Sequence, residues 1–129
     1  MSLRFHFISG LPRSGSTLLS ALLLQNPRFQ ASVTSPLYAL TDSLIELMGP
    51  EFSHVSFFDE ARRERILKAA LTAYFGDETA GRQVIFDTNR LWTSRAPLLD
   101  RLFPGSRIIA CVRDIYSIID SFEALLAKN

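Results

Sequence analysis

Gly10, Gly15, Ser16 and Thr17 stand at the spacing of a nucleotide phosphate loop, G-x-x-x-x-G-K-[ST], with Ser16 in the place of the lysine. The stretch Phe5 to Leu19, FHFISGLPRSGSTLL, sets them between a run of apolar strand formers and the leucines of a helix. A strand, a tight glycine turn and a helix N-terminus together present backbone N–H groups to an anion. The positive charge has moved to Arg13, inside the loop, so the lysine that reaches the outer phosphates of ATP or GTP is missing. Pro12, Arg13, Ser14, Gly15, Ser16 and Thr17 are therefore candidates for holding a phosphorylated ligand other than a common triphosphate. An ordinary strand-to-helix turn is the alternative reading of the same residues.

Two further polar clusters close apolar runs. Asp87-Thr88-Asn89-Arg90 follows one and Arg113-Asp114 the other. Asp-Thr-Asn is also plain turn and capping chemistry, and Asp87 and Arg90 can pair with each other. For Arg113 the competing role is an ion pair to Asp114 or Asp87. Ser117 and Ser121 fall on one helical face. Only partnership with Arg113 makes Ser121 a candidate.

These residues need elements to hold them. Apolar runs rich in Phe, Ile and Val predict strands over Arg4 to Ser9, Gln83 to Asp87 and Arg107 to Val112. A leucine-rich helix is expected from Thr17 to Gln25, stopped by Asn26-Pro27. Leu37 to Met48 has helical spacing and ends before Gly49-Pro50. Asp59 to Phe75 opens on an acidic cap and ends at Gly76, with Arg62, Arg63, Arg65 and Lys68 on a solvated face. The next helix is capped at Thr93 or Ser94 and runs to Leu102, with Pro97 in its first turn. The last starts at the N-cap Asp114. The segment from Gly49 to Phe58 reads as a mobile loop.

Strands alternating with helices predict an α/β domain, a P-loop-type parallel sheet in three layers flanked by helices. Ligands of such sheets bind beyond the carboxyl ends of the strands, where all three polar clusters fall. A sheet of three strands leaves pairing edges, so a homodimer or swapped assembly is expected.

Composition narrows the classes. With 129 residues the chain fits one domain, spanning 1–129, and can bury roughly 65–70% of its unfolded surface. Its net charge of +1, from 14 basic and 13 acidic side chains, provides no global field for nucleic acid or an anionic membrane. The lone Cys111 excludes an internal disulfide, and two histidines, His6 and His54, make a zinc site hard to assemble. No apolar run approaches the roughly 20 residues of a membrane span, and the Pro-Arg-Ser-Gly loop interrupts the place of a signal-peptide core. A cytoplasmic protein without a metal is the expectation.

FISGLPRSGSTLLSALL, VIFDTNR and LFPGSRIIACVRDIYSIIDSF together resemble the sulfotransferases that use 3′-phosphoadenylyl sulfate. The likeness spans nearly the whole chain. It implies that Pro12, Arg13, Ser14, Gly15, Ser16 and Thr17 hold the 5′-phosphosulfate, and that Arg113 and Ser121, eight residues apart, hold the 3′-phosphate. It further implies sulfonate transfer to a hydroxyl or amine of a small-molecule or peptide acceptor, with no metal, Arg13 stabilising the transferring charge. Where cytosolic members place a catalytic His this chain has Asn89, and the Glu of tyrosylprotein members has no counterpart among Ala31 to Thr34. Asp87 is then the best carboxylate candidate for a catalytic base, ahead of His6 and His54. The family's Gly-rich basic C-terminal segment has no counterpart here, so the resemblance is to a truncated version of that fold. Two other readings remain open: a P-loop kinase or NTPase, and a non-catalytic nucleotide-binding or assembly module.

Overall fold

The computed structural model describes residues 3–76 and 81–128. Its centre is β1 (Arg4–Gly10), whose alternate residues are buried from both sides. The chain then forms α1 (Ser16–Leu23), β2 (Phe29–Ala31), α2 (Leu37–Leu47), α3 (Glu60–Phe75), β3 (Val84–Thr88), α4 (Ala96–Leu102), β4 (Ile108–Cys111) and α5 (Ile115–Leu126). All four strands are parallel, in the order β2-β3-β1-β4. The α/β sheet flanked by helices is as the sequence predicts.

The pleat of β1 divides the core. Phe5 and Phe7 point to one face, where they meet Leu37 of α2, Leu67, Leu71 and Phe75 of α3, Leu99 and Leu102 of α4, and Trp92. Phe5 stacks on Phe103 with centroids 4.4 Å apart, and Phe7 meets the Trp92 ring edge-on at 5.0 Å. Ile8 points to the other face and packs with Ala31, Phe86 and the α1 leucines Leu19 and Leu23. Strands with both faces covered need continuous apolar runs, which FHFI and VIF supply.

The structure corrects the strand count. β2 was not expected, because three residues after Pro27 carry no readable period. It pairs with β3, Phe29 beside Val84 and Ala31 beside Phe86. The start of the fourth helix also differs: Trp92–Arg95 forms a 3-10 turn, and α4 proper begins at Ala96 with Pro97 in its first turn. The segment 49–58, expected as a loop, contains a 3-10 turn at Val55–Phe57. Asp59 caps α3 and Asp114 caps α5 as the sequence indicates, each carboxylate accepting from an amide three residues on. On the basic face of α3, Lys68 lies 5.8 Å over the Phe103 ring and Arg63 is 3.9 Å from Glu60.

Candidate functional site

β1 runs between β3 and β4, so the loop that leaves it at Gly10 emerges beside both neighbouring strand ends. Gly10 has φ 154, and a Cβ there would lie 2.6 Å from the Cys111 carbonyl oxygen. Only glycine lets the loop turn so close to β4. Ser14 N–H then bonds the Leu11 carbonyl at 3.1 Å, closing a tight turn. Arg13, at φ 66, is the one described non-glycine residue in the left-handed region. Gly15 follows at φ 104 and starts α1.

The start of α1 differs from those of α3 and α5. No side chain caps it, whereas Asp59 and Asp114 cap the other two. The first amides of a helix have no partner within it, and together with the helix dipole they attract negative charge. The Ser14 hydroxyl is buried and has no hydrogen-bond partner. Nothing lies within 4 Å of where a Gly15 Cβ would project. A cleft of about 830 Å³ opens over these groups, lined by Pro12 to Leu18, Ala21 and Arg113. An orphaned hydroxyl, an uncapped helix and an open approach all fit an anionic group.

The structure brings the distant motifs to this loop. Arg13 Nε donates to Ser121 Oγ at 2.8 Å, across 108 positions of sequence. Arg113 Nη1 donates to the Arg13 carbonyl at 3.0 Å. Among the described residues neither guanidinium belongs to an ion pair, so the alternative of Arg113 paired with Asp114 or Asp87 is not what is seen. Pro12, Arg13, Ser14, Gly15, Ser16, Thr17 and Arg113 share the cleft wall, and Ser121 reaches it through Arg13. A smaller cleft of about 310 Å³ shares Ser14 and Arg113 and adds Ser9, Arg90, Thr93 and Cys111.

Asp87 does not join them. It alternates with Phe86 and Thr88 along β3, which turns its side chain toward Trp92 and away from α1. Trp92 Nε1 donates to its Oδ2 at 2.7 Å and Ser32 Oγ to its Oδ1 at 3.3 Å, and the residue is fully buried. Burial pushes the carboxyl above its ordinary value, opposed by the donors Ser35, Trp92 and Ser32. The carboxylate is enclosed in the core beside Trp92, and it lines neither cleft at the loop, where the catalytic role is expected of it. Thr88 takes the opposite face, where its hydroxyl lies 3.2 Å from Ser20 of α1. Ser20 also donates to the Ser32 carbonyl at 3.0 Å. This bond pair ties the loop helix to β3 and to the chain leaving β2. The sequence signal was only a serine amid leucines.

His6 and His54 lie elsewhere. His6 Nδ1 accepts the Arg107 amide at 3.1 Å, and desolvation, with Arg107 and Arg4 nearby, holds its pKa below the usual value. It lines a larger cleft of about 1120 Å³ at the opposite edge of the sheet, with Arg4, Lys68 and Arg107. Size alone does not select that cleft: the loop, its orphaned hydroxyl and both basic strand ends are at the carboxyl edge. His54 borders the 3-10 turn, 6.2 Å from the Phe57 ring.

No described helix is long and apolar enough to cross a membrane. A model described as the sulfotransferase family matches residues 6–129. No curated protein matches the chain.

Proposed function

The chain belongs to the sulfotransferase family, and we propose that it binds 3′-phosphoadenylyl sulfate in the β1–α1 loop for sulfonate transfer to an acceptor hydroxyl or amine. The observation that carries this reading is the meeting of Arg13, Arg113 and Ser121 over an uncapped helix start. Their places along the chain make chance convergence a poor explanation. The donor, when bound, supplies an activated sulfonate on a phosphate leaving group. Everything else asked of the site is positioning and charge stabilisation, as in phosphoryl transfer.

The residues divide that work. The amides of the loop and of the first turn of α1, with the Ser14, Ser16 and Thr17 hydroxyls, would hold the 5′-phosphosulfate, and Pro12 shapes the turn. Arg13 presents a delocalised cation where negative charge gathers on the transferring group and the leaving phosphate. Arg113 and Ser121 would hold the 3′-phosphate, the group that distinguishes this donor from ATP. The smaller cleft beyond Ser14 is assigned to the acceptor, with Arg90 and Thr93 on its wall. No step here requires a divalent metal; the acceptor's proton passes to solvent as the sulfonate leaves the phosphate, rather than to the enclosed Asp87.

Calorimetry tests the reading with adenosine 3′,5′-bisphosphate against ATP plus magnesium. The bisphosphate should bind more tightly, and Arg13→Ala should weaken it by about tenfold or more, the worth of a hydrogen bond to a charged group. Tighter ATP binding would make the loop a nucleoside triphosphate site. Bisphosphate binding untouched by Arg13→Ala would leave only a structural loop.

A further inference from the structure

The proposed donor site employs Arg13 and Arg113 and leaves Arg90 without a duty, although Arg90 stands at the same edge of the sheet, on the wall of the smaller cleft. We propose that Arg90 holds an anionic group of the acceptor, which makes the acceptor a small organic acid that presents a hydroxyl to the loop. This inference rests on the proposed donor site and deepens its acceptor side.

Arg90 is fixed at its backbone and free at its tip. The Ser9 hydroxyl donates to its carbonyl at 2.9 Å, the Asn89 amide donates to the Ile8 carbonyl at 3.0 Å, and Asn89 Oδ1 accepts the Leu91 amide at 3.0 Å. The turn that carries Arg90 is thereby tied to β1, the strand that feeds the loop. Its guanidinium is exposed and joins no ion pair among the described residues. Asp87 does not pair with it, since that carboxylate accepts from Trp92 and Ser32 in the core.

The cleft has no acidic residue on its wall, and Arg113 adds a second positive charge. Such a field attracts a carboxylate and repels the ammonium form of an amine, which selects a hydroxyl as the accepting group. A guanidinium presents a planar fork that fits two carboxylate oxygens at once. The rest of the wall is largely apolar: Leu11 and Val112 are more than half exposed, with Ala110 and Ile118 beside them. At about 310 Å³ the cleft lies at the small end of ligand pockets, suited to an acid built on one ring rather than to a peptide. Ser14 lines both clefts, so an acceptor anchored at Arg90 points its far end toward the proposed phosphosulfate.

Calorimetry on the 129-residue chain saturated with adenosine 3′,5′-bisphosphate reads acceptor binding without turnover, and the bisphosphate keeps the probe out of the donor site. The probes are para-hydroxybenzoate, its neutral amide and the cationic para-hydroxybenzylamine. The acid should bind about tenfold more tightly than the amide, the worth of a hydrogen bond between charged groups. Arg90→Gln should abolish that preference by weakening the acid alone. Arg90→Glu should reverse the charge preference, so that the benzylamine binds more tightly than the acid. Bisphosphate affinity of each variant, measured alongside, reports the fold and the donor site. An acid that fails to bind the loaded chain, or a preference that survives Arg90→Gln, overturns the inference and leaves the donor site standing. A tenfold loss of bisphosphate affinity in Arg90→Gln at unchanged melting temperature would assign Arg90 to the donor and equally overturn it. A wild-type chain that fails to bind the bisphosphate overturns the donor site itself, and this inference with it.

Discussion

Gly10 and Asp87 show how single positions serve the site from outside it. At Gly10 a side chain would meet the Cys111 carbonyl at 2.6 Å and the Ser14 hydroxyl at 2.8 Å, on backbone already at φ 154. Gly10→Ala should cost roughly 1–3 kcal/mol from backbone strain alone, and the displaced loop should lose bisphosphate affinity along with melting temperature. An unchanged melting temperature would mean that β4 yields freely. Asp87 makes its contribution through pH. Burial raises its folded-state pKa above the ordinary 3.8, so between 3.8 and that higher value the folded protein holds more protons than the unfolded chain. Stability from this group is therefore fully present below pH 3.8 and is lost as pH rises through the folded pKa. The melting temperature of the wild type minus that of Asp87→Asn should fall as pH rises from about 4 and then level off. A difference that grows with pH would contradict the burial assigned to Asp87.

At the scale of elements, the starts of α1 and α3 contrast. α3 is closed by Asp59, whose Oδ1 accepts the Arg62 amide at 2.7 Å. Asp59→Ala should lower stability by about 1 kcal/mol and leave bisphosphate affinity alone, since α3 packs on the face away from α1; a matching loss of affinity would show coupling between the two faces. α1 has no such cap, and its free amides are what a bound anion would satisfy. Ser20, bonded to the Ser32 carbonyl and beside Thr88, holds this helix to the sheet instead. The elements themselves were largely legible, because strand runs such as VIF and the Asp59 and Asp114 caps are local signals. β2 was not, since a three-residue strand takes its existence from pairing with β3. The 3-10 turn at Trp92–Arg95 was equally hidden, being set by the burial of Trp92 against Phe7 and Tyr38.

Over the whole molecule, the order β2-β3-β1-β4 makes β4 an edge, with α5 following it. Only Ile118 of α5 is buried, while Ile115, Ile119, Phe122, Leu125 and Leu126 remain exposed. An unpaired edge beside apolar side chains favours association, and we propose that two copies pair through it. Light scattering should give twice the chain mass, and a monomer across the concentration range would reject the pairing.

The sequence by itself determined the loop, the strand that feeds it, the α/β class and the family resemblance. Each is carried by neighbouring residues whose spacing has a direct conformational meaning, as with Gly10, Arg13 and Gly15 along one turn. It also nominated Arg113 as a polar strand end and Ser121 as its partner, while their 3′-phosphate role came only through the resemblance. Tertiary structure alone decided that these two bond Arg13, because strand order and helix docking join positions that no local pattern relates. It also enclosed Asp87 in the core. A strand residue's face depends on pairing and register, and register turned this carboxylate into the core beside Trp92.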